Sequence, residues 1–218
     1  MIGSRVIAID GAAGSGKSTL ARAIAERLGL PYVNTGEMYR AVAAAALASG
    51  VDTDDAPGLL DLARRSRFIL ADGAPRELEV EGWPRERLHT ADVDATVSAV
   101  SRHPAVRAHL REAQRAFARA GAVMEGRDIA SVVVPDARVK VYVTAHEDVR
   151  ASRRAKQRGA DLTGTDDALR RRDARDAVTT PHVPAAGADV VDTTHLDVDG
   201  AIEAIMAIVR RRAPELVP

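Results

Sequence analysis

The sequence contains no cysteine. That excludes a disulfide framework and any thiolate metal site. Aromatic residues are only 3% of its 218 residues, so a core must be built from Val, Leu, Ile and Ala. No apolar run reaches the roughly 20 residues that a membrane-spanning helix needs. Net charge is also absent: Lys+Arg and Asp+Glu stand at 31 each. A neutral chain makes no global electrostatic case for binding nucleic acid or a membrane surface. Lysine is confined to Lys17, Lys140 and Lys156, so arginine carries nearly all the positive charge. A guanidinium is planar and grips phosphate oxygens in pairs, which a lysine cannot do.

The length fits one α/β domain with insertions, and close to half the residues are apolar, enough for a sizeable core. Val6 to Ile9 is a short β-branched run, as expected of a buried parallel strand and not of a signal peptide. Helices are expected over Ser18 to Arg27, Glu37 to Leu47 and Leu59 to Ala63, with Tyr32-Val33 a strand between the first two. Arg67 to Thr90 alternates Phe68-Ile69-Leu70, Leu78-Glu79-Val80 and Leu88 with turn residues, the pattern of a small inserted β-meander. Val97 to Ala120 reads as helix broken near Pro104, its inner stripe being Val106, Leu110, Ala113 and Phe117. Val123-Met124 and Val139 to Val143 read as core strands and Asp148 to Arg158 as a basic helix. A polar loop, a charged helix over Asp166 to Asp176, a strand at Val190-Val191 and a helix over Val198 to Arg212 complete the chain. Strands alternating with helices imply a parallel sheet covered on both faces.

The most specific signal is Gly11-Ala12-Ala13-Gly14-Ser15-Gly16-Lys17-Ser18, followed by Thr19. It fits G-x-x-x-x-G-K-[ST] in full, after an expected strand and before an expected helix. The glycines allow backbone N–H groups to curl around a phosphate, and the helix N-terminus adds a positive dipole end. Lys17 is placed to reach the β- and γ-phosphates of ATP, and Ser18 to hold Mg²⁺. A guanine-reading Asn-Lys-x-Asp motif is absent, as is the length of a motor ATPase. The pattern therefore points to a kinase for a small anionic acceptor.

Three further clusters stand out. They are Asn34-Thr35-Gly36-Glu37-Met38-Tyr39-Arg40; the stretch from Val97-Ser98 through Arg107 to Arg115; and Glu125-Gly126-Arg127-Asp128-Ile129 with Pro135-Asp136-Ala137 beyond. With the phosphate loop, they resemble the bacterial cytidylate kinase family over nearly the whole chain. The resemblance implies a P-loop three-layer α/β fold with a central parallel sheet, a monophosphate-binding insertion at about 36–120 and a lid at about 150–176. It implies a cytoplasmic monomer that uses ATP and Mg²⁺ to phosphorylate CMP or dCMP, with small nucleotides and neither nucleic acid nor membrane as partners. Arg40 and Arg127 match positions that grip the acceptor phosphate, and Thr35 lies within the same motif. Ser98, Arg107 and Asp128 match positions that read cytosine. A carboxylate accepts from the cytosine 4-amino group and disfavours uracil, which has an oxygen there. Arg154 and Arg158 fall on the lid's basic helix beside ATP. Arg172 and Asp176 match positions at the transferring phosphoryl and the sugar.

The chain departs from the family pattern mainly on the acceptor side. Glu37 replaces a small residue, Asn34 an aspartate and His89 an arginine. Thr179 stands where another arginine is usual, and Ala130-Ser131 replaces Gly-Thr. An added carboxylate and a lost guanidinium make a pocket less welcoming to an anion. Two alternatives therefore stay open. One is a kinase of the same fold acting on a modified nucleotide or another small phosphorylated or phosphonate metabolite. The other is a nucleotide-binding protein without catalysis.

Overall fold

The computed structural model describes residues 2–158 and 183–217. Seven strands form one sheet: β1 (Val6–Gly11), β2 (Tyr32–Asn34), β3 (Phe68–Ala71), β4 (Glu77–Val80), β5 (Ala122–Gly126), β6 (Val139–Thr144) and β7 (Asp189–Asp192). Their spatial order is β3-β4-β2-β5-β1-β6-β7. Every neighbouring pair is parallel except β3–β4. β1 lies between β5 and β6, in register Ile7↔Val123 and Ile7↔Val139. All six of its residues are buried, which is why its apolar run is continuous instead of alternating.

The strand pleat sends alternate side chains of β1 to opposite faces. Val6 and Ala8 join Val33 and Met124 beneath α2 (Thr35–Ser49), α3 (Ala56–Arg65), α5 (Ala91–Ser101) and α6 (Pro104–Arg119). Ile7 and Ile9 join Val141 and Val143 beneath α1 (Lys17–Leu28) and α8 (Val198–Arg212). The result is helix, sheet, helix. Four of the six alanines of α2 (Ala41, Ala43, Ala44 and Ala46) are buried, and their small size lets this helix pack closely on α5.

Two expectations are corrected. The segment after Arg67 is not a free-standing meander: β3 and β4 form a hairpin, and β4 extends the main sheet beside β2 through Tyr32↔Glu77. Leu88 is not on a strand but ends the short helix α4 (Arg85–Leu88). Pro84, which cannot donate to a ladder, sits at that helix's N-cap and closes the strand region. The inner stripe of α6 is also turned. Its buried residues are Val106, Leu110, Gln114 and Ala118, while Ala113 and Phe117 pack at the margin. The polar Gln114 is buried because it hydrogen-bonds Tyr39. The charged helix expected at Asp166 to Asp176 lies outside the described residues, as do Arg172, Asp176 and Thr179. The basic helix α7 (Glu147–Arg158) forms where expected and carries Arg154 and Arg158.

Successive C-terminal strand ends meet at one edge of the sheet. β1 runs into the glycine loop, β2 into α2, and β5 into Arg127-Asp128. That edge is where open parallel sheets place their ligands. Asp10 ties two of these ends together. Its carboxylate accepts Ile129 N at 2.9 Å and Ala130 N at 2.8 Å, pinning the π turn Ile129–Val133 to β1.

Burial raises the Asp10 pKa from the usual carboxylate range to about 6, against the lowering effect of those two N–H groups. The folded pKa lies above the unfolded one, so this residue's contribution to stability is whole below about pH 4 and is lost as pH rises through about 6. The shift corresponds to ~2–3 kcal/mol. Asp10→Asn removes the titration. Its melting temperature relative to the native protein should therefore rise between pH 4 and pH 7, as measured by thermal melts across that range.

Candidate active site

The glycine loop is shaped by a left-handed backbone. Gly14 has φ +74°, and a Cβ there would lie 2.8 Å from the carbonyl oxygen of Arg150. Gly16 is the N-cap of α1 with φ 88°. The first N–H groups of α1 therefore emerge from the loop with no partner inside the helix. Lys17 Nζ donates to Ala12 O at 3.2 Å, curling back over the loop. Arginines brace the loop from outside. Arg127 Nη1 donates to Gly11 O at 3.0 Å and Arg150 Nη1 to Ala13 O at 3.1 Å. Arg153 fixes α7 to the end of β7, with Nη1 on Thr193 Oγ1 and Nη2 on Thr193 O, both at 2.8 Å.

Ser18 Oγ donates to Glu125 Oε2 at 2.9 Å. Glu125 is the penultimate residue of β5 and is 1% exposed. Its other oxygen accepts from the Tyr32 hydroxyl. Burial and the adjacent carboxylate hold the Tyr32 pKa well above the usual phenol value, so the hydroxyl stays protonated and donates. Thr35 Oγ1 donates to the Glu125 carbonyl at 2.8 Å. A hydroxyl beside a carboxylate is a hard oxygen pair. It suits Mg²⁺, which takes few protein ligands and completes its shell with phosphates and water. Among the described residues there is no group of three or more His, Cys, Asp or Glu side chains that could hold a metal.

Part of the set expected on the acceptor side comes together around a second carboxylate, Asp128. Arg107 Nη2 and Arg111 Nη2 both donate to Asp128 Oδ2 at 2.8 Å. Arg107 Nη1 also reaches Ser101 O at 3.4 Å. The arginine beside Asp128 in sequence, Arg127, turns instead to the loop. Arg40 is 5% exposed; it is ion-paired with Asp94 and donates to Leu88 O at 2.8 Å. Ser98 is buried on α5 behind the cleft wall, where its neighbours Val97 and Ser101 are the lining residues. Burial raises the Tyr39 pKa as well, so this phenol too stays neutral beside Arg107 and Asp128.

A single cleft of about 1070 Å³ joins the two halves. Lys17, Ser18 and Arg127 line it at the loop, and Thr35, Arg40, Arg107 and Asp128 at the far end. The side chains at three positions that depart from the family pattern touch one another here: Glu37 Oε1 contacts His89 Nε2 at 2.7 Å and Asn34 Nδ2 at 3.3 Å.

Several cleft residues escaped the sequence reading. Glu125 stands in the third motif cluster, but the sequence does not mark it as the partner of Ser18. Arg111 stands one helical turn after Arg107, the spacing that puts two side chains on one face. Thr193, Leu196 and Val198, which line the loop end of the cleft, carry no local signal, because only the β6–β7 pairing brings them there.

The cytidylate kinase family model matches residues 7–211. The chain is 43% identical to the cytidylate kinase of Granulibacter bethesdensis over 217 residues, covering 96% of this chain and 98% of that one. It is 40% identical to the cytidylate kinase of Streptomyces coelicolor over 215 residues, covering 95% and 93%. Among solved structures, an uncharacterized protein from Eubacterium ventriosum aligns with a TM-score of 0.52 at 16% identity, covering 95% of this chain and 99% of that one. That likeness speaks for the fold alone. The sequence matches over nearly the full length, together with an intact phosphate loop and an arginine-rich cleft, place the chain in the cytidylate kinase family.

Proposed function

We propose that this protein transfers the γ-phosphoryl group of ATP to CMP or dCMP, giving the nucleoside diphosphate and ADP. The observation that carries the reading is one cleft with the Gly11 to Ser18 loop at one end and Asp128, held by Arg107 and Arg111, at the other. The N–H groups of the loop and of the first turn of α1 take the phosphates of ATP, with Lys17 swinging from Ala12 O onto the β- and γ-oxygens. Ser18 with Glu125 behind it holds Mg²⁺, which when bound neutralises phosphate charge. Two anionic substrates repel strongly at close range, so the site depends on fixed cations. Arg127 lies between the loop and the acceptor, and Arg40 at the acceptor end. The segment 36–120 serves as the acceptor-binding region and 150–176 as the lid. The lid's Arg154, Arg158 and Arg172 bring further charge to the phosphoryl, and Asp176 meets the sugar. No strong general base is required, because positioning and charge stabilisation carry most phosphoryl transfer.

Base choice falls to Asp128. Both arginines occupy Oδ2, which leaves Oδ1 to accept from the cytosine 4-amino group. Arg107 donates to the acceptor edge of the ring, and Ser98 supports it from α5. A second reading, a kinase of this fold with an altered acceptor, is favoured by the Arg40–Asp94 pair and the Glu37–His89 contact. Both reduce the net positive charge offered to a phosphate. Acceptor-dependent ADP release across CMP, dCMP, UMP, AMP and GMP separates the two. The first reading requires CMP or dCMP to exceed the others clearly. Activity confined to an unusual acceptor supports the second.

Asp128→Asn should lower the CMP-over-UMP ratio of kcat/KM by about tenfold or more, since the amide can donate to the uracil oxygen that the carboxylate repels. An unchanged ratio removes Asp128 from base reading. Lys17→Met should lower kcat by about a hundredfold with the fold intact by circular dichroism, as expected for loss of one transition-state donor. Gly14→Ala should weaken ATP binding, measured by equilibrium titration, because the side chain would collide with α7 at Arg150 O.

A further inference from the structure

One contact at the acceptor end is not used by the chemistry above. Glu37, in the first turn of α2, is 5% exposed although it is an acid. Its Oε1 takes both of its donors, His89 Nε2 at 2.7 Å and Asn34 Nδ2 at 3.3 Å. Its Oε2 is buried with no hydrogen-bond partner among the described residues. A carboxylate in that position has lost its water without full compensation. His89 lines the cleft with its side chain 34% exposed. Glu37 occupies Nε2, so the nitrogen left for a ligand is Nδ1, which no described residue hydrogen-bonds. The other charged groups around it are already matched with opposite charges. Arg40 on α2 is held by Asp94 of α5 and by Leu88 O of α4, and Arg85 at the start of α4 stands 3.8 Å from Glu77 of β4. Among the described residues, Glu37 is thus an acid whose only cationic counterpart is a histidine, at a position where the family pattern has a permanently charged arginine.

We propose that Glu37 and His89 form a proton-coupled contact for the phosphate of the acceptor nucleotide. His89 Nδ1 bonds a phosphate oxygen and takes one proton from solvent as the dianion arrives. Nε2–H stays on Glu37, whose carboxylate stabilises the imidazolium. His89 is the substrate contact and Glu37 its positioning residue. A second anion placed beside an acid–histidine pair favours the charged imidazole, and the proton taken up restores the cation that an arginine would have supplied. The acceptor end would then carry its charge only when occupied. This inference rests on the reading that a nucleoside monophosphate binds at this end of the cleft.

The test is calorimetric titration of CMP into the full-length protein at pH 7.5, without ATP, in two buffers of different ionisation enthalpy. A phosphate monoester with its second pKa near 6 is almost wholly dianionic there, so proton uptake reports on the protein. The native protein should take up a fraction approaching one proton per CMP, and none with cytidine, which lacks the phosphate. His89→Arg should bind CMP with no uptake, and its CMP KM should stay flat from pH 6.5 to 8.5, while that of the native protein rises roughly tenfold. Glu37→Gln should cut the uptake and raise the CMP KM by about tenfold, with kcat within about twofold. Thermal melts establish that each variant is folded, and His89→Arg carries the test alone should Glu37→Gln not fold. CMP binding by the native protein with heats independent of buffer overturns the proposal while leaving the acceptor reading intact. So does equal uptake by His89→Arg. Absence of CMP binding by the native protein overturns the acceptor reading, and the proposal with it.

Discussion

A carboxylate buried at the end of a central strand must find donors for both oxygens, and the way Glu125 does so organises the rest of the cleft. One oxygen takes the hydroxyl of Ser18 from the first turn of α1, and the other takes the hydroxyl of Tyr32 from β2. The same residue's carbonyl takes Thr35 at the start of α2. The helix that follows β1, the strand β2 and the helix that follows β2 are therefore all referred to one residue. The glycine loop with α1 and the start of α2 share a single fixed point. A phosphoryl transfer depends on the spacing of its two substrates more than on any reactive group.

The acceptor end follows a different electrostatic rule from the donor end. At the loop, charge is offered by backbone N–H groups and by arginines bonded to loop carbonyls, Arg127 to Gly11 O and Arg150 to Ala13 O. At the acceptor end the guanidinium groups are matched with carboxylates: Arg107 and Arg111 with Asp128, and Arg40 with Asp94. Such pairs cost desolvation and give modest stability on their own. Their use is orientation, since a paired guanidinium keeps one geometry in an otherwise open cleft. An incoming nucleotide then meets donors that are already aimed, and it exchanges one set of anionic partners for another.

The legible part of this protein was its local part. The strand–loop–helix at Val6 to Leu28 stands as read, because each residue's role there is decided by its immediate neighbours and by glycine's freedom at Gly14 and Gly16. Helix positions followed from periodicity, though the buried Gln114 shows its limit: a polar residue looks outward until a partner such as Tyr39 is known. The hairpin was legible as two strands and not as part of the main sheet, since pairing of β4 with β2 joins residues some 45 apart in sequence. The acceptor end was read through resemblance, one position at a time. Nothing in the sequence tells that Glu37, Asn34 and His89 touch, or that Asp128 serves two arginines on α6 and not Arg127 beside it. These are contacts between elements, fixed only when α2, α4 and α6 pack on the same face of the sheet.

The junction of β4 with β2 has a mechanical meaning. The β1–β5 ladder runs through five paired residues, whereas β2 and β4 meet at the single pair Tyr32↔Glu77, helped by Tyr32 N on Arg76 O at 2.8 Å. Among the parallel ladders of this sheet it is the shortest seam. Here the seam separates the hairpin from the strands that bear the phosphate loop. Tyr32 belongs to both sides of it, as the last residue of the ladder and as a donor to Glu125. With so short a ladder, the hairpin is held chiefly by side chains, Leu78 and Val80 in the core and Glu77 on Arg22 of α1.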